Sequence, residues 1–297
     1  MKQCIIVRYN EIGTKGRNRS DFENLLARNC KATLKAQNVL VEVKRRNNRI
    51  IIYQEAHTPL EKLGTLKNVF GISSFSIAWE VENNLEAIKE CLAMLLKHKD
   101  ESKKSFRISA RNLGNQRVAD IFSYNKILGA FVEQLTHMKV SLKSFDVEYG
   151  IEISGKTCYV YDNKTQGYGG LPLGSQGTVY CLIEDEASIV AAWLMMKRGC
   201  IIQPLSLNRY QKFTKNILSL LVPFNTYKEF EVKHLDSREA IMDLIEQNKG
   251  VLVTGETFQT FKKQHSLTQS TILKPLIGKQ SEDIRAIAST QNFPKKF

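Results

Sequence analysis

Residues 178–200 read TVYCLIEDEASIVAAWLMMKRGC. Val179 to Ile183 has the apolar, β-branched character of a buried strand, and Ile189 to Lys197 reads as a helix ending at Arg198-Gly199. A strand running straight into a helix is the repeating unit of a parallel α/β sheet. The helix N-terminus, with free N–H groups and a positive dipole end, is where such sheets hold phosphate. A turn that does so needs glycine, so that the backbone can come close. This turn holds Glu184, Asp185, Glu186 and Ser188, and no glycine.

Downstream the alternation continues. IIQPLSL (201–207) reads as a strand, 209–221 as a helix, 228–233 as a strand, 237–247 as a helix, VLVTG (251–255) as a strand and 281–289 as a helix. That is the pattern of a doubly wound parallel sheet with helices on both faces. Upstream lies QGYGGLPLGSQG (166–177), so dense in glycine that it must be loop or linker. Tyr168 within it is suited to stacking on a base or ribose, although a plain hinge accounts for the stretch equally well.

The first half has a different rhythm. CIIVRY (4–9), a helix from Ser20 to Gln37 with Ser20 as N-cap, VLVEV (39–43), RIIIY (49–53), a helix from Pro59 to Asn68 and VFGISSFSIAWEV (69–81) follow one another. Strand–helix–strand–strand–helix–strand is the order of a ferredoxin-like unit. A second small α/β sandwich follows: helix 85–97, strand SFRISAR (105–111), helix 120–138, and a hairpin over 147–164 turning at Ser154-Gly155-Lys156. No internal repeat is present.

The chain has 297 residues, 42% hydrophobic and 25% charged, as expected of a globular protein with two or three domains. No apolar run reaches the length of a membrane span. The start at Met1-Lys2-Gln3-Cys4 leads directly into a strand, so neither leader nor anchor is expected and a cytoplasmic location is. The six cysteines are scattered without a C-x-x-C pair, which reads as small buried thiols rather than a zinc site. The formal net charge of +13 favours a polyanionic partner, and residues 1–49 carry twelve Lys/Arg against four Asp/Glu.

Two basic segments could meet phosphate. EIGTKGRNRS (11–20) places Lys15, Arg17 and Arg19 just before a helix, in a loop tightened by Gly13 and Gly16. Cations oppose the dipole there, which weakens a purely structural reading. In KKSFRISARNLGNQR (103–117), alternation puts Arg107, Ser109 and Arg111 on one strand face, with Arg117 further on. KRRNNR (44–49) reads as a charged hairpin turn that would extend the basic surface if it lay alongside.

VRYNEIGTKGRNR, FRISAR, GYGGLPLGSQG and LMMKRGC, with LVTGETF (252–258) and ILKPLIGKQSEDIRAIA (272–288), together resemble the 4-thiouridine synthetase (tRNA sulfurtransferase) family, in a short form of archaeal type. The resemblance covers nearly the whole chain. It implies an N-terminal ferredoxin-like domain (1–78), a THUMP RNA-binding domain (79–165), the glycine-rich linker (166–177) and a PP-loop pyrophosphatase-like domain (178–297). In the family the first two hold tRNA. The third adenylates a uridine, and a persulfide sulfur then displaces the adenylate.

The family's nucleotide loop reads Ser-Gly-Gly-x-Asp-Ser. Here the corresponding EDEAS is one residue shorter and carries three carboxylates, which repel a triphosphate. The Cys-bearing segment that the family places after the PLIG helix has no counterpart up to Phe297. The expectation is therefore a tRNA-binding protein with a degenerate PP-loop and no catalytic residues of its own, working with another tRNA-modifying protein, with a homodimer left open. No metal or cofactor is expected. An active sulfurtransferase with a rearranged site would require ATP and Mg²⁺, and the retained VTGE (253–256) and PLIG (275–278) favour it. The acidic residues of the turn read as N-cap and first-turn residues that stabilise the helix where a phosphate would sit; the alternative is that Glu184, Asp185 and Glu186 hold Mg²⁺ or act as acid and base in different chemistry. An assembly module with an incidental basic surface is the third alternative.

Overall fold

The computed structural model describes residues 1–54, 58–97, 102–114, 119–227, 229–261 and 270–290. They form two compact units, Met1–Lys67 with Ile72–Gly169, and Asn68–Gly71 with the chain from Gly170 onward.

The first unit contains β1 (Lys2–Arg8), α1 (Arg19–Ala36), β2 (Val41–Arg46), β3 (Arg49–Gln54), α2 (Leu60–Gly64) and β4 (Ser74–Glu82). These are the elements of a ferredoxin-like domain, and the strands lie antiparallel in the order β2-β3-β1-β4. α1 starts one residue earlier than expected. Asn18 stands at its N-cap without a side-chain bond, and Ser20 lies in the first turn. The helix expected to Asn68 divides, because after Gly64 the last turn tightens to a 3₁₀ turn, Thr65–Asn68.

Next come α3 (Leu85–Leu96), β5 (Ser105–Asn112), α4 (Ile121–Leu135), β6 (Lys139–Val140), β7 (Val147–Ser154), β8 (Thr157–Tyr161) and β9 (Thr165–Gln166). Asn84 and Asp120 cap α3 and α4 by accepting backbone N–H groups of the first turn, Asp120 from Phe122 and Ser123. α4 ends at Leu135, where the chain turns extended at Thr136. The sandwich does not stand apart from the ferredoxin-like strands. β4 pairs with β1 on one side and β8 on the other, so one sheet of nine strands runs β2-β3-β1-β4-β8-β7-β5-β6, with β9 also on β4.

Alternation splits the residues of this sheet between two faces. On one face Ile151, Ile153, Cys158 and Val160 pack under α3 and α4. On the other, Cys4, Ile6, Ile51, Tyr53 and Ala78 join Leu113, Tyr159 and Tyr161 in a core common to both halves.

The second unit is a parallel sheet: β10 (Thr178–Leu182), α5 (Glu186–Lys197), β11 (Ile201–Leu207), α6 (Gln211–Leu218), β12 (Lys233–Leu235), α7 (Arg238–Gln247), β13 (Val251–Val253), β14 (Thr271–Leu273) and α8 (Ser281–Thr290). The strand order is β12-β11-β10-β13-β14, which reverses direction between β10 and β13. Right-handed crossovers then put α5 and α6 on one face and α7 on the other. The packing agrees: α5 lies against α6 and α8, and α7 covers Leu182, Leu205, Leu207 and Leu252.

α6 is shorter than the expected 209–221, being flanked by 3₁₀ turns, and Pro223 in the second cannot donate a helical hydrogen bond. β12 begins at Lys233, later than expected, and residue 228 lies outside the described residues. Phe70 is edge-on to Trp193 with centroids 5.5 Å apart and stacks on Phe224 at 5.6 Å. Gly170 has φ +79°, and a β-carbon there would stand 2.1 Å from the Lys197 carbonyl oxygen. Glycine in that stretch thus lets the chain seat on the end of α5. All six cysteines are buried free thiols, and no helix among the described residues is long and apolar enough to cross a membrane.

Candidate nucleic-acid interface and the turn before α5

Lys15, Arg17 and Arg19 sit where Glu11–Thr14 makes a 3₁₀ turn leading into α1. Gly13 and Gly16 are not needed for tightness: neither has a positive φ, and a β-carbon at either would meet nothing within 4 Å. Arg17 is exposed, and Lys15 Nζ lies 5.0 Å from the Phe22 ring centroid. Arg19 is tied down. Its Nε donates to Glu23 Oε1 at 2.8 Å and its NH2 to the Tyr9 hydroxyl at 3.2 Å.

On β5, Arg107 and Arg111 share one face, while Phe106 and Ile108 are buried on the other. Each arginine faces a glutamate of β7 in the parallel register, Arg107 opposite Glu148 and Arg111 opposite Glu152. Arg107 NH2 and Nε donate to Glu148 Oε1 at 2.7 and 3.1 Å, and its guanidinium lies 4.1 Å from the Phe145 ring centroid.

Glu152 is the hub of a larger cluster. Its side chain is fully buried, yet it pairs with Arg8 Nε at 2.7 Å, Arg49 Nε at 2.6 Å and Arg111 NH2 at 2.9 Å, and accepts from the Tyr161 hydroxyl at 3.0 Å. Burial alone would raise its pKa; the guanidiniums of Arg8, Arg49 and Arg111 outweigh that and hold it down at about 2. Three guanidiniums against one carboxylate leave a local excess of two positive charges. Arg8 also stacks over the Tyr161 ring at 4.5 Å and donates to Ser76 at 3.0 Å. Gly150 makes room for this, because a β-carbon there would stand 2.1 Å from the Tyr161 ring.

The hairpin 44–49 does lie beside these groups, with Arg49 on Glu152 and the Asn47 amide donating to Ser154 at 2.7 Å. The structure thus joins Arg111 to Arg49 and Arg8, which sequence reasoning did not assign to the site. A signal was available: Glu148 and Glu152 are four residues apart, matching the spacing of Arg107 and Arg111. Arg117 lies outside the described residues. Tyr168 is half-buried, and burial pushes its phenol pKa up.

In the second unit the turn satisfies itself. Asp185 is the N-cap of α5 and accepts the Ser188 N–H at 2.8 Å; the Ser188 hydroxyl accepts the N–H groups of Glu184 at 3.3 Å and Asp185 at 3.4 Å. The Glu184 carboxylate receives Arg238 NH2 of α7 at 2.7 and 2.9 Å. Glu186 stands in the first turn of α5 with its side chain half-buried. Gly255 presses against the same turn, since a β-carbon on it would stand 2.5 Å from Ser188 N. Beside this turn, where the strand order reverses, a cavity of about 360 Å³ is lined by Leu182, Arg238, Ile241, Met242, Leu252 and Thr254 among others. The Thr254 hydroxyl is buried there with no hydrogen-bond partner among the described residues, and Glu256 pairs with Lys274. No group of three His, Cys, Asp or Glu among the described residues could hold a metal ion.

Sequence profiles of the ThiI ferredoxin-like domain and the THUMP domain match residues 4–76 and 82–162. A probable tRNA sulfurtransferase of Geobacillus sp. (strain WCH70) is 30% identical over 96% of this chain and 80% of its own length. The chain belongs to the tRNA sulfurtransferase family. Among solved structures, the Pyrococcus horikoshii protein PH1313 superposes on this sulfurtransferase-family chain with a TM-score of 0.86 at 28% identity, covering 98% of this chain and all of that one. A 4-thiouridine synthetase solved with RNA and bound ATP gives 0.80 at 23% identity over 98% of this chain and 85% of that one, a likeness of fold. This member of the family thus combines a ferredoxin-like domain, a THUMP domain and a C-terminal parallel sheet with helices on both faces.

Proposed function

We propose that this chain binds tRNA through the basic groups of its first unit and does not itself adenylate uridine, acting in tRNA modification beside a protein that supplies the chemistry. The observation that carries the second half is the self-capped turn. The N–H groups of Glu184, Asp185 and Ser188, which would otherwise face a phosphate, are bonded to the side chains of Asp185 and Ser188. The carboxylates of Glu184, Asp185 and Glu186 would meet any polyphosphate brought there, at about 1–4 kcal/mol for each like-charge contact near 4 Å. No cofactor is needed under this reading.

The first half rests on family membership and on the cluster of Arg8, Arg49 and Arg111. Arg8 and Arg49 are largely buried and contribute positive potential, while Arg111, the exposed member, is oriented by Glu152 before any ligand arrives, so it has little rotamer freedom left to lose on binding phosphate. Lys15, Arg17 and Arg107 extend the same basic character within the unit, and THUMP-type recognition would then read shape more than base sequence.

A second reading keeps the ATP-dependent sulfurtransferase reaction in a rearranged site, with Mg²⁺ and ATP. The cavity at the strand-order reversal, with the unpartnered Thr254 hydroxyl, favours it. One experiment separates the two. Purified protein is incubated with tRNA, Mg²⁺ and ATP, and tRNA-dependent pyrophosphate release is measured alongside filter binding of tRNA. Retention of tRNA without pyrophosphate is expected. Release that disappears when Glu184, Asp185 and Glu186 are replaced by Ala would establish the second reading instead.

A further inference from the structure

Charge in the second unit is unevenly distributed along the chain. Between Ala187 and Tyr227 the chain carries Lys197, Arg198, Arg209, Lys212 and Lys215 and not one Asp or Glu. This segment supplies α5, β11 and α6. Acidic residues return on α7, on the opposite face, with Glu239, Asp243 and Glu246 against Arg238, and on α8, which packs against α5 and carries Glu282 and Asp283.

Within the basic segment, α6 and the 3₁₀ turn before it are the exposed part. Arg209, Lys212 and Lys215 are all solvent-exposed, while Thr214, Ile217 and Leu218 on the other side of the helix are buried. Among the described residues none of the three cations meets a carboxylate; Arg209 touches only the ring of its neighbour Tyr210, at 4.9 Å. The arginines of the first unit, by contrast, are held by acids, Arg8, Arg49 and Arg111 sharing Glu152 and Arg107 pairing with Glu148.

A row of unpaired cations on a rigid helix is the arrangement that docks a nucleic-acid backbone, because each phosphate neutralised releases condensed counterions. An anionic membrane would need an apolar helix face to insert, and the apolar side of α6 is already spent on its own core. We infer that the exposed face of α6, through Arg209, Lys212 and Lys215, is a second docking surface for tRNA phosphates, in addition to the first unit. The inference rests on the tRNA-binding half of the proposed function.

The test compares the full-length protein with the triple variant R209Q/K212Q/K215Q in tRNA binding across a salt series. Because the three side chains are exposed and unpaired, the variant should keep its thermal midpoint. At moderate salt its affinity should fall by about tenfold or more, and the log–log salt slope should become shallower by about 0.9 for each phosphate no longer neutralised. A control variant on the acidic face, E239Q/D243N/E246Q, should bind as the parent does. An unchanged salt slope in the triple variant overturns the inference alone. So does a control whose affinity rises as much as the triple variant's falls, since overall charge would then explain both. So would vesicles of phosphatidylserine that bind the parent but not the triple variant, with tRNA binding equal in the two. Failure of the parent itself to retain tRNA would overturn the reading beneath it as well.

Discussion

A carboxylate without solvent contact, ringed by guanidiniums, makes Glu152 the residue on which the first unit most depends electrostatically. Its pKa, about 2 in the fold, lies below the ordinary 4.5. A depressed carboxylate contributes stability that is complete above about pH 4.5 and is lost as pH falls from there toward 2, on the order of 3 kcal/mol in total. Glu152→Gln should abolish that acid-dependent portion and cost about 3–5 kcal/mol at neutral pH, since the largely buried Arg8 and Arg49, with the exposed Arg111, lose their counter-ion. Chemical denaturation at several pH values, followed by Trp79 fluorescence in a Trp193→Phe background, reads both effects. The same geometry governs how Arg107 and Arg111 should be probed. Reversal to Glu would set new carboxylates against Glu148 and Glu152 and could unfold the sheet edge, whereas Arg107→Gln with Arg111→Gln removes charge alone. The double Gln variant should remain folded and bind tRNA with a salt slope shallower by about 0.9 for each of the two charges removed, measured by filter binding. Little of the cluster was visible along the chain, for Arg8 and Glu152 are 144 positions apart and only the fold brings them together.

Among the elements, α5 shows how a helix can be legible in sequence while the bonding at its start stays hidden. Acidic and hydroxyl residues at 184–188 announce an N-terminus, and the structure supplies a reciprocal Asp185–Ser188 box. Asp185→Ala removes the acceptor for Ser188 N–H and should lower stability by about 1 kcal/mol. The readout is the denaturation midpoint reported by Trp193, which lies on α5, in a Trp79→Phe background. Long amphipathic elements such as α1, α3 and α7 were legible to within a few residues because their apolar period is sustained over several turns. β6, β9 and β14 escaped, since two or three residues carry no measurable period. The length of α6 was misjudged for a different reason. Its apolar spacing continues into Ser219–Phe224, but there the backbone tightens to 3₁₀ and Pro223 withholds a donor.

Across the whole molecule, the sequence separated three expected domains by rhythm, and what it could not display was the pairing of β4 with β8. Pattern along a strand tells which face is buried, not which strand lies alongside. Because that pairing makes one sheet of the ferredoxin-like and THUMP strands, the two should unfold in a single transition, and Trp79 on β4 is placed to report it. A separate early transition of the THUMP elements, resolved by hydrogen exchange, would contradict this. The shared strand also constrains how genes can be rearranged around this fold. The gap between the two matched segments falls inside β4, so a cut there severs the shared strand, and the THUMP part passed on alone would leave Thr157–Val160 as an open sheet edge that invites aggregation. Fusions that carry both pieces together, with β4 whole, keep the β4–β8 row of hydrogen bonds closed.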